Sequence, residues 1–304
     1  INVSEADAIS LEKLIAANGS VYLSAGGNIS AKDVRANQGT ADLYSDGRIE
    51  MGSADGRIQA DTLTLTAQNG IDAATRANTI NANAYGGGAT IALRDSGSTT
   101  LRSVRTDSGD IAVSAAGSID VQSVNAGYGA NNVSLQAGEA ITQGQARNNV
   151  LNRVAVLSLP VSQANVVANN LQLSAGTGIG NGERGALVTD VKTIDASTAT
   201  GNASIDQANA VTVSNLSTGG GDATLVVRQG DATVGNVSAT GTAMLTTEAG
   251  SLQDDGNADT RIVADSANLT ASGNVNAGTR VNTLTANGQA ITIDEQDGLA
   301  RLTA

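Results

Sequence analysis

The chain of 304 residues contains no cysteine and no histidine, and aromatic residues make up only 1% of it. The lack of cysteine excludes disulfides, thiol nucleophiles and thiolate metal sites. The lack of histidine removes the commonest general base and metal ligand. Large aromatic side chains normally supply much of a compact core, so the apolar 40% of this chain must pack as thin layers of alanine, valine, isoleucine and leucine.

Long apolar runs and excess positive charge are also missing. No run of ~18 apolar residues could span a bilayer, and no signal-peptide pattern is present. The 17 basic and 29 acidic residues give a net charge of -12, which repels nucleic acid and anionic membranes. The sequence therefore predicts neither nucleic-acid binding nor a membrane span. Because the chain opens within a repeat, we expect it to be a segment of a longer polypeptide.

One stretch of the chain occurs three times. It is IQADTLTLTAQNGI at Ile58–Ile71, VVANNLQLSAGTGI at Val166–Ile179 and IVADSANLTASGNV at Ile262–Val275. Its apolar positions alternate and end at a turn, which is typical of a strand with one buried face. Three drifting copies of a short strand and turn indicate a repeat architecture.

A shorter period of roughly 20 residues lies between the long copies. Residues 90–109 are followed directly by residues 110–129 in the same pattern of strands and corners. Such units predict an all-β fold, a parallel β-helix or solenoid of about a dozen coils. The preference for right-handed crossovers predicts a right-handed helix. We expect residues 1–304 to form a single continuous solenoid, because repeats stack in one direction.

A superrepeat of roughly 100 residues joins about five coils. The opening residues 2–14 match residues 204–216, with Glu5 aligned to Gln207. Residues 292–302, TIDEQDGLARL, begin the same pattern again.

Two segments depart from this period and are predicted insertions or loops. Residues 143–165 exceed one plain coil and contain Pro160, the one proline of the chain. A broadened coil with Pro160 at its edge is favoured there, and a short helix or side loop is the alternative. Residues 180–189 are expected to protrude as a loop, where repeat proteins often place binding.

Corners are predicted wherever glycine, asparagine and aspartate cluster between alternating segments. Gly109, Gly117 and Gly129 are expected to supply backbone conformations with positive φ. Between the corners, Leu63 and Leu65 are expected to stack in ladders of like residues.

The LxLxAGxGI phrase of Leu171–Ile179, the Gly/Asn/Asp corners and the scarcity of aromatic residues resemble the β-solenoid exoproteins of bacteria. The nearest groups are the filamentous-haemagglutinin-like proteins and giant repeat-containing surface proteins. This resemblance covers the whole chain in repeat style, without a secretion signature of the NPNG type. It implies an exported, extracellular β-helical shaft at the bacterial surface, used for adhesion, matrix formation or presentation of other domains. Its implied partners are neighbouring repeats, other copies end to end or laterally, and a host or neighbouring-cell surface or glycan.

Acidic corners near the end of the chain are candidates for calcium, which prefers several oxygen ligands. These candidates are Asp254, Asp255, Asp259, Asp294 and Asp297. The alternative is that aspartate is simply a good corner residue on an acidic surface. No other cofactor is predicted.

Two further functions are open alternatives to a non-catalytic shaft. A polysaccharide-acting enzyme could use Asp95, Asp107 and Asp110 with Arg105, although sugar sites are usually lined by aromatic rings. A calcium- or glycan-binding module is also compatible with the acidic corners.

The alternating Thr62, Thr64 and Thr66 could form an ice-binding rank. Threonine is also common on any solvated strand face. The sequence predicts no catalytic residue.

Overall fold

The computed structural model describes residues 1–51, 56–127, 129–144, 164–180 and 185–303. All regular secondary structure in these ranges is β-strand. Among these residues, no helix combines the length and the apolar character that crossing a bilayer requires. Most of the predicted insertion 143–165, including Pro160, and part of the predicted loop 180–189 lie outside the described residues. The form of those parts stays a prediction. At the described end of the predicted loop the expectation is wrong, because residues 187–189 belong to the strand Leu187–Asp190, which pairs in parallel with a neighbouring strand.

The backbone divides into two compact units. Unit 1 comprises residues 1–138 and 167–169, and unit 2 comprises residues 139–166 and 170–304. The strands of unit 1 are β1 (Asn2–Glu5), β2 (Ile9–Ala16), β3 (Val21–Ala25), β4 (Ile29–Ser45), β5 (Ile49–Met51), β6 (Arg57–Ala67), β7 (Ile71–Ala84), β8 (Ile91–Asp95), β9 (Thr99–Thr106), β10 (Ile111–Ala115), β11 (Ile119–Val121), β12 (Val124–Asn125) and β13 (Asn132–Ala137).

The strands of unit 2 are between 2 and 13 residues long. They are β14 (Ala140–Gln143), β16 (Asn170–Ala175), β17 (Gly178–Ile179), β18 (Leu187–Asp190), β19 (Thr193–Thr198), β20 (Ala203–Gln207), β21 (Val211–Thr218), β22 (Ala223–Val227), β23 (Ala232–Ser238), β24 (Thr242–Thr247), β25 (Leu252–Asp254), β26 (Ile262–Ala271), β27 (Val275–Asn287), β28 (Ile291–Glu295) and β29 (Arg301–Thr303). The two-residue strand β15 (Val166–Val167) has one residue in each unit.

Each unit is a parallel β-solenoid, as the sequence predicts. Strands pair in parallel with the equivalent strands one turn away, for example β3 with β4 in unit 1 and β20 with β22 in unit 2. The described residues form about 14 turns, slightly more than the predicted dozen. Shorter turns contribute to this difference. A hydrogen bond between adjacent turns joins residues 20 apart at Asn28, whose side chain accepts from the Arg48 N–H, but residues 17 apart at Asn78, whose side chain donates to Asp61. The right-handedness and the single body over residues 1–304 stay predictions.

The core of unit 1 contains a ladder of isoleucines. Ile29, Ile49, Ile71, Ile91 and Ile111 are register partners on successive turns, and each is at most 1% exposed. A fully buried side chain of this size contributes roughly 1.5–3 kcal/mol. The alternation of buried and exposed residues along these strands, as in β10, places every second side chain in the core. This is the predicted aliphatic core of stacked like residues.

The core of unit 2 uses smaller side chains in part. Ala203, Ala223, Ala243 and Ala267 are register partners, and all four are fully buried. The next inward column of the same strands contains the larger Ile205 and its leucine partners. Alanine therefore occupies a narrow part of the cross-section beside a wider leucine layer.

The expected reason for glycine at the corners is wrong for Gly109, Gly117 and Gly129. None of the three has positive φ in the structure. A Cβ at Gly109 would overlap the carbonyl group of Ala89, and a Cβ at Gly117 would overlap the hydroxyl of Ser98, both one turn earlier. Glycine is required at these two positions because adjacent corners stack too closely for a side chain.

Candidate functional site

The interior of unit 1 contains a carboxylate at the end of β8. Asp95 is 5% exposed, and its Oδ2 accepts hydrogen bonds from the Thr75 hydroxyl at 2.7 Å and the Ala77 N–H at 3.0 Å. Its Oδ1 accepts a third hydrogen bond from the Gly97 N–H at 2.8 Å. These three donors offset much of the cost of burying the carboxylate.

Unit 2 repeats this arrangement with an amide at the end of β20. Gln207 is fully buried, and its Oε1 accepts a hydrogen bond from the Thr189 hydroxyl at 2.7 Å. Its Nε2 donates to the carbonyl oxygens of Val191 at 2.8 Å and Asn209 at 3.1 Å. The residues occupy the same relative positions as those around Asp95, because Val191 lies two residues after the threonine and Asn209 two residues after the glutamine.

A third copy lies at the end of β28. The Glu295 Oε2 accepts a hydrogen bond from the Thr279 hydroxyl at 2.6 Å, and its Oε1 accepts from the Val281 N–H at 3.4 Å. Burial acts to raise the pKa of Glu295, but the hydrogen bonds from Thr279, Asp297 and Val281 outweigh it and lower the pKa below its usual value. We call these three sets, Thr75–Asp95, Thr189–Gln207 and Thr279–Glu295, the interior polar corners.

The interior polar corners were not predicted, although the sequence contains a signal for two of them. The superrepeat aligns Glu5 with Gln207, and residues 292–302 begin the same pattern at Glu295. At Gln207 and Glu295 the polar residue at this position ends a strand and accepts a hydrogen bond from a buried threonine, whereas Glu5 is exposed at the end of β1. Asp95, considered above as a candidate catalytic acid, belongs to this structural set.

Of the other candidate catalytic residues, Arg105 lies on β9, and Asp107 and Asp110 lie on the corner that follows it. Arg105 forms an exposed ion pair with Asp107 at 3.2 Å. The Asp110 Oδ1 accepts hydrogen bonds from the Asn132 N–H at 2.7 Å and its side-chain amide at 3.1 Å. These side chains therefore join neighbouring residues or turns by contacts that a structural role explains.

The same type of contact links many corners to the next turn. The Asn202 side-chain oxygen accepts from the Asp222 N–H at 2.9 Å, and the Asp222 carboxylate accepts from the Thr242 N–H at 2.7 Å. In unit 1, Asn28 bonds to the Arg48 N–H in the same way at 2.8 Å. Corner asparagines and aspartates therefore satisfy backbone groups between the strand ladders.

A second recurring hydrogen bond joins two residues of the same corner. A buried threonine donates its hydroxyl to the carbonyl oxygen of the glycine three residues later. The pairs are Thr106 with Gly109 at 2.6 Å, Thr198 with Gly201 at 3.1 Å, Thr218 with Gly221 at 2.8 Å and Thr247 with Gly250 at 3.2 Å. The spacing T-x-x-G at a strand end is visible in the sequence and could have identified these buried threonines.

Two of the calcium candidates line a groove in unit 2. Asp254 and Asp294 border a groove of about 240 Å³ that also contains Arg261. Arg261 is mostly buried, with 16% of its side chain exposed, and lies 3.4 Å from Asp294. The Asp254 carboxylate accepts hydrogen bonds from the N–H groups of Gly256 at 2.8 Å and Gly278 at 3.1 Å. Asp294 therefore has the Arg261 guanidinium as its ion-pair partner, and Asp254 has two backbone amides as hydrogen-bond donors.

The other calcium candidates do not line that groove. The Asp255 Oδ1 accepts hydrogen bonds within its own loop, from the Asn257 N–H at 2.9 Å and the Thr260 hydroxyl at 2.6 Å. Asp259 and Asp297 are exposed. Within the part of the chain that the structure describes, no group of three or more acidic side chains is arranged to hold a metal ion. Calcium binding stays a prediction.

The threonine rank of β6 continues onto the adjacent turns at one of its three positions. Thr62 pairs with Thr40 on the preceding turn and with Thr79 on the following turn. Thr64 pairs with Asp42 on the preceding turn and Asn81 on the following turn, and Thr66 pairs with Tyr44 and Asn83. A flat threonine array of the kind that the ice-binding alternative requires would need these neighbours to be threonine too.

Comparisons with known proteins give no relative for this chain. No family model, no curated protein and no solved structure matches it.

Proposed function

We propose that this chain is a structural, non-catalytic shaft of an exported bacterial surface or extracellular protein, such as an adhesin stalk or a matrix fibre. The observation that carries the proposal is the use of the polar side chains. The carboxylates and amides at the corners bond to backbone groups of the same or the adjacent turn, as Asp95, Asp110 and Asp222 do.

The cores of the two units support a mechanical role. Parallel ladders bond each strand to strands on adjacent turns, and like aliphatic residues such as Ile71 and Ile91 stack directly. Bending such a turn would stretch backbone hydrogen bonds and open gaps in a close-packed core. Strands held on both sides also offer few extended segments to a protease. Stiffness and protease resistance are the properties that a shaft needs.

The exported, bacterial part of the proposal rests on the resemblance of repeat style to the filamentous-haemagglutinin-like proteins. The absence of cysteine and the acidic composition agree with it. In this setting the partners would be flanking repeats of the same polypeptide, other copies, and a glycan or surface of a host or neighbouring cell.

Electron microscopy of the native source cells tests the proposal. Cells would be labelled with an antibody raised against residues 1–304, and the control would be the same antibody pre-adsorbed with the purified chain. We expect label along thin fibres on or between cells. Label confined to compact soluble particles would contradict the shaft proposal.

A polysaccharide panel provides the second test, because an enzyme is the main alternative. The purified chain is expected to leave neutral and acidic polysaccharides intact. Cleavage that is lost in Asp254→Asn or Asp294→Asn, and retained in the exposed control Asp7→Asn, would contradict a non-catalytic role. The groove residues are the informative choice because Asp254 and Asp294 line the same cavity.

A further inference from the structure

Two of the four tyrosines of the chain meet at the surface of unit 1. The hydroxyl of Tyr44, on β4, lies 3.3 Å from the hydroxyl of Tyr85, which follows β7. The Tyr44 hydroxyl also donates a hydrogen bond to Asp46 Oδ1 at 2.8 Å. Tyr44 is 41% exposed, so this pair is accessible to solvent.

The pair connects turns that are not adjacent. Tyr44 pairs in register with Thr66, and Thr66 pairs with Asn83, two residues before Tyr85. Two strand spacings separate these backbones by ~10 Å, yet the two hydroxyls are in contact. The Tyr85 N–H donates to the Ala67 carbonyl at 3.2 Å, which fixes the backbone from which its ring projects. Both rings are therefore positioned toward each other before any reaction.

We propose that Tyr44 and Tyr85 form a site of oxidative modification, at which a one-electron oxidant such as a haem peroxidase with hydrogen peroxide joins them as dityrosine. Each phenol loses one electron and its hydroxyl proton. The two ring carbons next to the oxygens then form a carbon–carbon bond, and the hydrogens on those carbons move to the oxygens and restore both hydroxyls. The protein loses two hydrogen atoms in total, and hydrogen peroxide accepts two electrons and two protons to become two waters.

The geometry matches the product. In dityrosine the new bond joins the carbons beside the two hydroxyls, so the hydroxyls lie side by side, as they do here at 3.3 Å. The contacts of its hydroxyl with Tyr85 and with Asp46 raise the pKa of Tyr44, so the phenol keeps its proton at neutral pH. Electron loss from Tyr44 must then be accompanied by proton loss, and Asp46 is the adjacent acceptor.

This modification would add a covalent link across three turns of unit 1. The link would close a loop of the chain and reduce the entropy of the unfolded state, as other cross-links do. The inference does not rest on the proposed shaft function, because it depends only on the local geometry of the two tyrosines.

The test is oxidation of the purified chain at low protein concentration with a haem peroxidase and hydrogen peroxide. We expect a monomer with a mass lower by two hydrogen atoms, dityrosine fluorescence, and a proteolytic peptide pair linked through Tyr44 and Tyr85. Tyr44→Phe and Tyr85→Phe should each abolish the linked pair. Each variant retains its ring, and its fold is checked by comparing its circular dichroism with that of the parent chain.

Tyr22→Phe is the matched control. Tyr22 is 49% exposed, and its hydroxyl has no hydrogen-bond partner among the residues that the structure describes. This variant should retain the full yield of the Tyr44–Tyr85 link. Coupling only between molecules, coupling through Tyr22 or Tyr128 instead, or no dityrosine while free tyrosine is oxidised in the same buffer would each overturn the proposal. Asp46→Asn should lower the initial coupling rate, and an unchanged rate would overturn the role of Asp46 as proton acceptor.

Discussion

The Thr75–Asp95 corner of unit 1 and the Thr189–Gln207 corner of unit 2 have one geometry and opposite polarity. In both, a threonine hydroxyl donates at 2.7 Å to a side-chain oxygen at the end of a strand. In unit 1 the remaining backbone partners are N–H groups, of Ala77 and Gly97. In unit 2 the remaining backbone partners are carbonyl oxygens, of Val191 and Asn209.

This difference shows that the backbone groups at each corner select the side chain. A carboxylate only accepts hydrogen bonds, so it matches a corner that presents three donors. An amide accepts at one atom and donates at the other, so it matches one hydroxyl and two carbonyls. Aspartate and glutamine are therefore not interchangeable at these corners, although both are polar and buried.

Reversing the polarity at Gln207 should have the largest effect. The Gln207→Glu variant places a buried carboxylate against the carbonyls of Val191 and Asn209, and we expect a loss of about 3–5 kcal/mol in stability at neutral pH. Burial and the two carbonyls would raise the pKa of this new carboxyl. Its cost should therefore shrink as the pH falls toward the unfolded-state value of about 4.3. Urea unfolding at neutral and acidic pH measures both effects.

The control for this variant is Gln229→Glu, because Gln229 is exposed two residues after β22. It should change stability by less than about 0.5 kcal/mol. Equal effects at the two positions would show that the orientation of the Gln207 amide is unimportant.

The reciprocal change at Asp95 is expected to be the next largest. In Asp95→Asn, one carboxylate oxygen is replaced by an NH₂ group. This NH₂ group must face an N–H or hydroxyl donor whose hydrogen bond the carboxylate accepts in the parent chain. One buried donor is then left without an acceptor, at a cost of about 2–3 kcal/mol. Hydrogen exchange of the Ala77 and Gly97 amides would localise the loss. The exposed Asp107→Asn is the control, and a similar loss there would contradict this explanation.

Removing the threonine hydroxyl compares the two acceptors directly. Thr75→Val loses a hydrogen bond to a carboxylate and should cost about 2 kcal/mol, whereas Thr189→Val loses one to a neutral amide and should cost about 1 kcal/mol. Both threonines are at most 1% exposed, so the two variants are matched in burial. Thermal and urea unfolding of the pair provide the measurement. A larger loss for Thr189→Val would reverse the ranking of the two corners.

The sequence predicts the strands and the core of this fold well because both depend on local alternation. Leu63 and Leu65 are fully buried in β6, as the period of two requires. The buried hydrogen-bonding role of Asp95 could not be predicted in this way, because an aspartate at a strand end is equally typical of an exposed corner. Its role depends on Thr75, which lies on the adjacent turn 20 residues earlier, and on the donors exposed there.

Substitution of Glu295 should have the smallest effect on stability. It tests the corner of unit 2 that contains a carboxylate. The Glu295 carboxylate has the same kind of donors as Asp95, but it is half-buried, so solvent reduces the contribution of each contact. Because the pKa of Glu295 is lowered in the folded chain, its contribution is present above the usual glutamate value. That contribution is lost as the pH falls through the lowered value. Glu295→Gln should cost less than about 1 kcal/mol at neutral pH and nothing in strong acid. Hydrogen exchange of the Val281 amide at both pH values measures this, and a cost that is independent of pH would show that the charge of Glu295 contributes nothing.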